Sequence, residues 1–230
     1  MDSFIAWLKQ LQFDGVWQTA LLVCASLLCI TFHETCHGLV AYWLGDRTAK
    51  NAGRLTLNPI KHVDIGGLLM MALFRFGWAK PVPVDMRNFR RPKQGMALTA
   101  LAGPVSNVLL AYVAVVLESV SWCFVVTAQS RVAEVLDWFF YYVAIISAGL
   151  AVFNLFPIPP LDGSKVVFSL LPDELYLKLM RYERFGMLLL MVLLFTGVLD
   201  TPLVFLRNGL LDGLQAVGSW PVDLFLKLYR

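Results

Sequence analysis

The chain has 230 residues, of which 58% are hydrophobic and 15% are charged, and its formal net charge is +3. An ordinary soluble domain has roughly 45–50% apolar and about 25% charged residues. The composition therefore excludes a disordered protein, a nucleic-acid-binding protein and an ordinary soluble enzyme, and it indicates a protein embedded in lipid.

Long apolar segments predict the membrane-spanning helices in chain order. A helix needs about 20 mostly apolar residues to cross the hydrocarbon core of a bilayer. The segments that meet or approach this length are residues 16–44, 95–126, 135–156 and 185–199. The shorter apolar piece 65–76 is expected to be re-entrant or interfacial. The tail 201–230 alternates apolar runs with charges, which predicts a surface-lying amphipathic helix or a short fifth span.

The stretch between the first two spans, residues 53–84, does not have a helical pattern. Residues 54–57 (R-L-T-L) alternate in the manner of a strand, and Pro81 and Pro83 favour an extended edge strand. We therefore expect a small membrane-associated β-hairpin or sheet here. The predicted fold class is an all-α multi-pass membrane protein with about four to six transmembrane helices and this small sheet, forming a single domain over 1–230.

The distribution of basic residues predicts the orientation of the chain in the membrane. Lysine and arginine are concentrated in loops 45–94 and 158–184, which helix parity places on the same side. The opposite side has only a few basic residues before the tail, namely Lys9, Arg131 and Arg207. We expect a multi-pass protein of the cell membrane with the two basic loops in the cytoplasm and the N-terminus outside.

The first span contains the motif His33-Glu34-Thr35-Cys36-His37. Positions i and i+4 share one helix face, so His33 and His37 can present two imidazoles to one ion. Glu34 can take a proton from the attacking water, which is the H-E-x-x-H arrangement of zinc hydrolases. Uncompensated, these side chains would cost several kcal/mol inside a lipid-embedded helix. A buried polar cluster without a metal is the alternative interpretation.

A catalytic zinc usually has three protein ligands and an open fourth position. The best third candidate is Asp162 in the L-D-G segment that closes the third apolar region, 135–163. Three prolines precede it and break the helix, and irregular backbone at membrane depth is tolerated where it lines a site. The alternative is that Asp162 caps a helix beginning at Ser164. Its pairing with H-E-x-x-H favours the ligand role.

Three further polar residues are weaker candidates. Asn154 could donate a hydrogen bond to a developing oxyanion, or satisfy backbone groups freed by Pro157. Asn107 could contact substrate, or hydrogen-bond across helices near Gly103, where helices can approach closely. His62 is a rival third ligand, or a surface or turn histidine.

The chain resembles the site-2 protease family of intramembrane zinc metalloproteases, in the form of a minimal member without an accessory domain. The matching segments occur in the family's order: H-E-T-C-H-G (33–38), G-R-L-T-L-N-P-I-K-H (53–62), W-A-K-P-V-P-V (78–84), A-G-P-V-S-N (102–107) and N-L-F-P-I-P-P-L-D-G (154–163). The combination of H-E-x-x-H with the Asn…Leu-Asp-Gly segment is the specific part of this pattern.

The resemblance implies a mechanism and a substrate class. It makes His33, His37 and Asp162 the ligands of one Zn²⁺ per chain, Glu34 the general base, and Asn154 a binding group for the substrate carbonyl or oxyanion. The implied substrates are proteins with a transmembrane helix, cut within or near the bilayer in regulated intramembrane proteolysis. The two predicted strands would hold the unwound substrate by strand addition.

The expected partners are therefore a transmembrane-helix substrate and membrane lipid, with no nucleic acid, and the sequence does not define an oligomeric state. One alternative is a non-catalytic membrane chaperone or scaffold of the same fold, which would have no need of Glu34. A metal-ion transporter is the other alternative. It would need polar residues along a path through the bilayer, and the second and fourth spans are nearly free of charge.

Overall fold

A computed structural model of the chain describes residues 16–64, 66–67 and 79–228. Its α-helices in chain order are α1 (Val16–Trp43), α2 (Thr48–Asn51), α3 (Pro92–Ala128), α4 (Arg131–Leu155), α5 (Asp162–Phe168), α6 (Asp173–Thr196), α7 (Asp200–Gly218) and α8 (Trp220–Leu228). Single 3₁₀ turns lie at Pro59–Lys61 and Met86–Asn88. Most of the segment 65–76, predicted to be re-entrant or interfacial, lies outside the described residues.

Three of the described helices are long and apolar enough to cross a membrane. They are Trp17–Trp43, Pro92–Ala128 and Arg131–Leu155. A fourth span exists only if Phe185–Thr196 and Asp200–Leu228, which are bent by 88° at a short break, are counted together. The prediction of four to six transmembrane helices with a small sheet is therefore corrected to three or four candidate spans, and no sheet forms within the described residues.

The predicted hairpin fails because its backbone groups are used elsewhere. Pro81 and Pro83 have no N–H, so two donors that a strand ladder would need are missing. The N–H of Val82 between them donates to the carboxylate of Glu34 (N to Oε2, 2.9 Å). On the other side of that peptide, the carbonyl of Pro81 accepts from the guanidinium of Arg54. Apart from one backbone bond, from Lys80 N–H to the carbonyl of His62 at 2.9 Å, side chains thus replace the neighbouring strand as hydrogen-bond partners.

The described residues divide into two compact units. The first comprises the described parts of Met1–Cys29, Asn107–Phe153 and Leu188–Arg230. Alanines and one cysteine let its helices pack closely. The buried core of this unit consists of Ala25, Cys29, Ala114, Val115, Tyr142, Val143 and Ala144.

The second unit comprises Ile30–Ser106 and Asn154–Met187, again as far as these residues are described. Gly45 ends α1 with a positive φ of 111°, and Gly45 N–H and Asp46 N–H bond back to the carbonyls of Tyr42 and Ala41. This is the Schellman pattern, in which glycine tolerates the left-handed conformation without a Cβ clash. The turn directs the buried side chain of Asp46 into the loops of the unit.

The carboxylate of Asp46 joins the turn after α1 to the turn at Met86–Asn88. Its Oδ1 accepts from Thr48 N–H at 3.0 Å and from Asn88 Nδ2 at 2.8 Å, and its Oδ2 accepts from Asp85 N–H at 2.7 Å. Burial by itself would raise the pKa of Asp46, but these hydrogen bonds lower it below the usual value. The ionised carboxylate therefore stabilises the folded loops above the pKa of the unfolded chain, and that stabilisation is lost on acidification.

We predict that Asp46→Asn lowers the free energy of unfolding by about 1.5–3 kcal/mol near neutral pH, since an NH₂ group replaces one carboxylate oxygen and leaves at least one buried N–H donor without an acceptor. Denaturant unfolding in a fixed detergent measures the change. The matched control is Asp212→Asn, because Asp212 is exposed on α7. Equal unfolding midpoints for the two variants would contradict the role of Asp46.

Candidate metal centre

Two histidines on α1 form the base of a polar site in the second unit. His33 and His37 are four residues apart, so the helix places them on one face. Both are buried, with 5% and 8% of their surface exposed. Their Nε2 atoms are 3.0 Å apart and their ring centroids 4.6 Å apart. The predicted i, i+4 pair is thus present, with both Nε2 atoms directed to one point.

The backbone of α3 fixes the orientation of His37. Its Nδ1 is 2.7 Å from the carbonyl oxygen of Thr99. Because a carbonyl oxygen can only accept a hydrogen bond, Nδ1 carries a proton, and in the neutral ring Nε2 then keeps the lone pair that a metal needs. This is the hydrogen bond that orients metal-ligating histidines in proteins.

Asp162 reaches the same point from the chain break after α4. Helix α4 ends at Leu155, and α5 begins at Asp162 itself, so Asp162 is not the N-cap of a later helix. Its Oδ2 lies 3.2 Å from His33 Nε2 and 3.1 Å from His37 Nε2. A Cβ at Gly163 would overlap the backbone oxygen of Leu155, so the glycine is what allows α5 to start this close to the end of α4.

The three side chains fit a zinc ion. Tetrahedral zinc with ligands about 2.0–2.1 Å away has ligand atoms about 3.3 Å apart, close to the three separations observed. Two imidazoles and one carboxylate are also a donor set typical of catalytic zinc. To bind the ion, the carboxyl group must be ionised and each imidazole must present an unprotonated Nε2.

Gly103 on α3 makes room for the two imidazoles. A Cβ at this position would lie 2.5 Å from the Cε1 atoms of His33 and His37 and would overlap Nε2 of His37. Any side chain at 103 would therefore displace the rings. The sequence suggested close helix contact at Gly103, and the structure identifies the histidine rings as its neighbours.

The site opens into a cavity of about 350 Å³ within the second unit. His33, His37 and Asp162 line it together with Glu34 and Asn154. Glu34 is half-buried, next to the first histidine on α1. The cavity thus brings five of the six predicted site residues together.

The sixth residue, Asn107, is completely buried but belongs to the first compact unit. His62 is not a surface histidine, because only 1% of it is exposed and its Nε2 bonds the carbonyl oxygen of Thr56 at 2.9 Å. Lys165 was not predicted as a site residue, yet it lines the cavity with its Nζ 4.0 Å from Asp162 Oδ1. Its place three residues after Asp162 at the start of a helix was the available signal.

Comparisons with known proteins identify relatives of the chain. A model of "Peptidase family M50" matches residues 114–198. The Bacillus subtilis protein named "Putative zinc metalloprotease YwhC" is 39% identical over 175 residues, which are 76% of this chain and 80% of that protein. Proteins named "Putative zinc metalloprotease Rip2" from Mycolicibacterium smegmatis and Mycobacterium tuberculosis are each 27% identical, covering 85% of this chain and 76% of theirs. No solved structure matches the chain significantly.

We predict that Gly103→Ala weakens zinc binding at least about a hundredfold, because the methyl group displaces both imidazoles. Competition with a chelator of known affinity measures the change on purified protein. Gly209→Ala is the matched control, since a Cβ there has no heavy atom within 4 Å. Equal zinc affinity in the two variants would show that Gly103 does not shape the site.

Proposed function

Because the chain belongs to peptidase family M50, the site-2 protease family, we propose that it is an intramembrane zinc endopeptidase. Its substrates are proteins with a transmembrane helix, cut within or near the bilayer in regulated intramembrane proteolysis. The observation that carries the proposal is the convergence of His33, His37 and Asp162 in one buried cluster beside Glu34.

His33 Nε2, His37 Nε2 and Asp162 Oδ2 would hold the metal. Bound there, zinc would supply a Lewis acid for the scissile carbonyl and for the attacking water. The Nδ1–H of His37 stays bonded to the Thr99 carbonyl throughout, so the ring keeps its tautomer and its direction.

Glu34 is the general base and then the general acid. One carboxylate oxygen accepts a proton from the attacking water and later delivers it to the leaving amine. The amide of Asn154, which lines the same cavity, donates a hydrogen bond to the carbonyl oxygen as it gains negative charge. A peptide bond inside a helix is shielded by its own hydrogen bonds, so the substrate helix unwinds locally before it is cut.

We place the enzyme in the cell membrane with its basic loops 45–94 and 158–184 in the cytoplasm. The concentration of Lys and Arg in these loops supports this orientation. The site residues lie in the C-terminal half of the first span or adjoin the second basic loop, which favours entry of water and substrate from the cytoplasmic side.

We predict that Glu34→Gln keeps stoichiometric zinc but lowers cleavage by at least about 10³-fold, the loss typical of removing a general base. Mass spectrometry of membrane fractions would compare peptide fragments that accumulate with the wild type and with the variant. Glu134→Gln is the matched control, because Glu134 is exposed in the first turn of α4.

Fragments that depend on Glu34 would separate the protease from its alternatives. A chaperone or scaffold would yield none with either protein, and fragments made equally by Glu34→Gln would contradict the mechanism. Uptake of metal ions into vesicles that contain the protein, without such fragments, would favour a transporter.

A further inference from the structure

We infer, on the basis of the proposed function, that the backbone amide of Val82 positions the general base Glu34, and that Arg54 and Gly38 hold this amide in place. Val82 and Arg54 are then positioning residues, acting on the reaction only through the carboxylate of Glu34. The inference concerns the segment that was expected to be a strand.

The hydrogen bond between the two groups is short and specific. Val82 N–H donates to Glu34 Oε2 at 2.9 Å, across 48 positions of sequence. Pro81 and Pro83 cannot donate, so Val82 provides the one N–H in this three-residue run. A hydrogen bond to a carboxylate is stronger than one between neutral groups. With Oε2 held, Oε1 is left to accept the proton of the attacking water.

The peptide between Pro81 and Val82 is held from its other side as well. Arg54 Nη2 donates to the carbonyl oxygens of Lys80 at 2.6 Å and of Pro81 at 3.3 Å. In a planar trans peptide, C=O and N–H point in opposite directions. Because Arg54 holds the Pro81 oxygen, it also sets the direction in which the Val82 N–H points. The guanidinium of Arg54 and the carboxylate of Glu34 thus bond opposite edges of the same peptide group.

Arg54 is suited to this task because it is buried, with only 7% of its surface exposed. A buried guanidinium is costly unless its donors are bonded, and because Arg54 Nε is buried without a partner, the two bonds from Nη2 to the carbonyls are the ones that offset this cost. Arg54 differs in this from a surface arginine, whose side chain would be mobile and whose charge would be screened by water.

Gly38 provides the space in which Val82 lies against α1. It follows Glu34 by one helical turn, so the two positions lie on the same face. A Cβ at position 38 would be 3.0 Å from Val82 Cγ1 and 2.8 Å from Leu55 Cδ2. The missing side chain therefore lets the extended segment approach α1 closely enough for the Val82 amide to reach the carboxylate.

The first test compares two substitutions at one position. Val82→Pro removes the N–H, whereas Val82→Ala shortens the side chain and keeps the N–H. The probe is a tagged single-pass reporter with two glycines at the centre of its transmembrane helix, since glycine weakens a helix. We expect kcat of Val82→Pro to be about ten- to a hundredfold below that of Val82→Ala, the loss expected for one hydrogen bond to a charged group. KM and zinc content should be equal in the two variants.

The outcomes separate this inference from the proposed function. If the wild type produces no Glu34-dependent fragments from the reporter or from whole membranes, the proposed function fails. If the wild type cleaves and the two Val82 variants have the same kcat, only the positioning role fails. If zinc content and kcat both fall in Val82→Pro, Val82 has a structural role, and the positioning role is overturned.

Hydrogen exchange tests the same contact without a substrate. In a peptide covering 80–83, the prolines have no amide, so the signal reports Lys80 and Val82 alone. We expect the Val82 amide to exchange at least about tenfold faster in Glu34→Ala than in the Glu134→Ala control. Equal exchange rates in the two variants would contradict the hydrogen bond between Val82 and Glu34, even if Val82→Pro does not fold.

Substitutions of Arg54 test whether it holds the peptide between Pro81 and Val82. Arg54→Met should accelerate hydrogen exchange at the Val82 amide and lower kcat without changing zinc content. Arg54→Lys should restore part of the protection and part of kcat, because the ammonium group keeps a donor and the charge. Arg87→Met is the control, since Arg87 is exposed and pairs with Asp85 in a neighbouring turn. If Arg54→Met exchanges and cleaves like Arg87→Met, Arg54 does not hold the amide.

Discussion

The second unit is organised by the requirement that its buried polar groups satisfy one another. The Nε2 atoms of His33 and His37 lie 3.2 Å and 3.1 Å from Asp162 Oδ2, and the helix that carries the two histidines is mostly apolar. Separately, each would be a costly residue at membrane depth. Together the three side chains form a donor set that fits zinc, which explains the presence of three polar residues at this depth.

The surrounding backbone is arranged to keep that cluster in place. Gly103 leaves room for the imidazole rings, and the Thr99 carbonyl one turn earlier orients His37. Gly163 allows α5 to begin against the end of α4, which brings in Asp162. These positions contribute space or a main-chain atom, not a functional side chain. A substitution there would disturb the site as directly as the loss of a ligand.

The sequence predicted the centre of the site better than its surroundings. The helical period placed His33 and His37 on one face, and the proline break made Asp162 a candidate. The small sheet was wrong because alternation in 54–57 and prolines at 81 and 83 indicate extended backbone but do not specify its partner. In the structure the partners are the side chains of Glu34 and Arg54. His62, which the sequence offered as a rival ligand or a surface or turn histidine, is a turn histidine that is buried, since its Nε2 bonds the nearby carbonyl of Thr56.

The sequence by itself determined that the chain lies in lipid, that one helix carries two metal-binding imidazoles and a carboxylate, and that a proline-broken turn carries another acid. Composition and local periodicity are sufficient for these conclusions. Only the tertiary structure decided that Asp162 meets the histidines, that Gly103 faces their rings, and that the Val82 amide meets Glu34. These contacts join positions between 48 and 129 residues apart, and local sequence patterns contain no information about which distant backbone groups will meet.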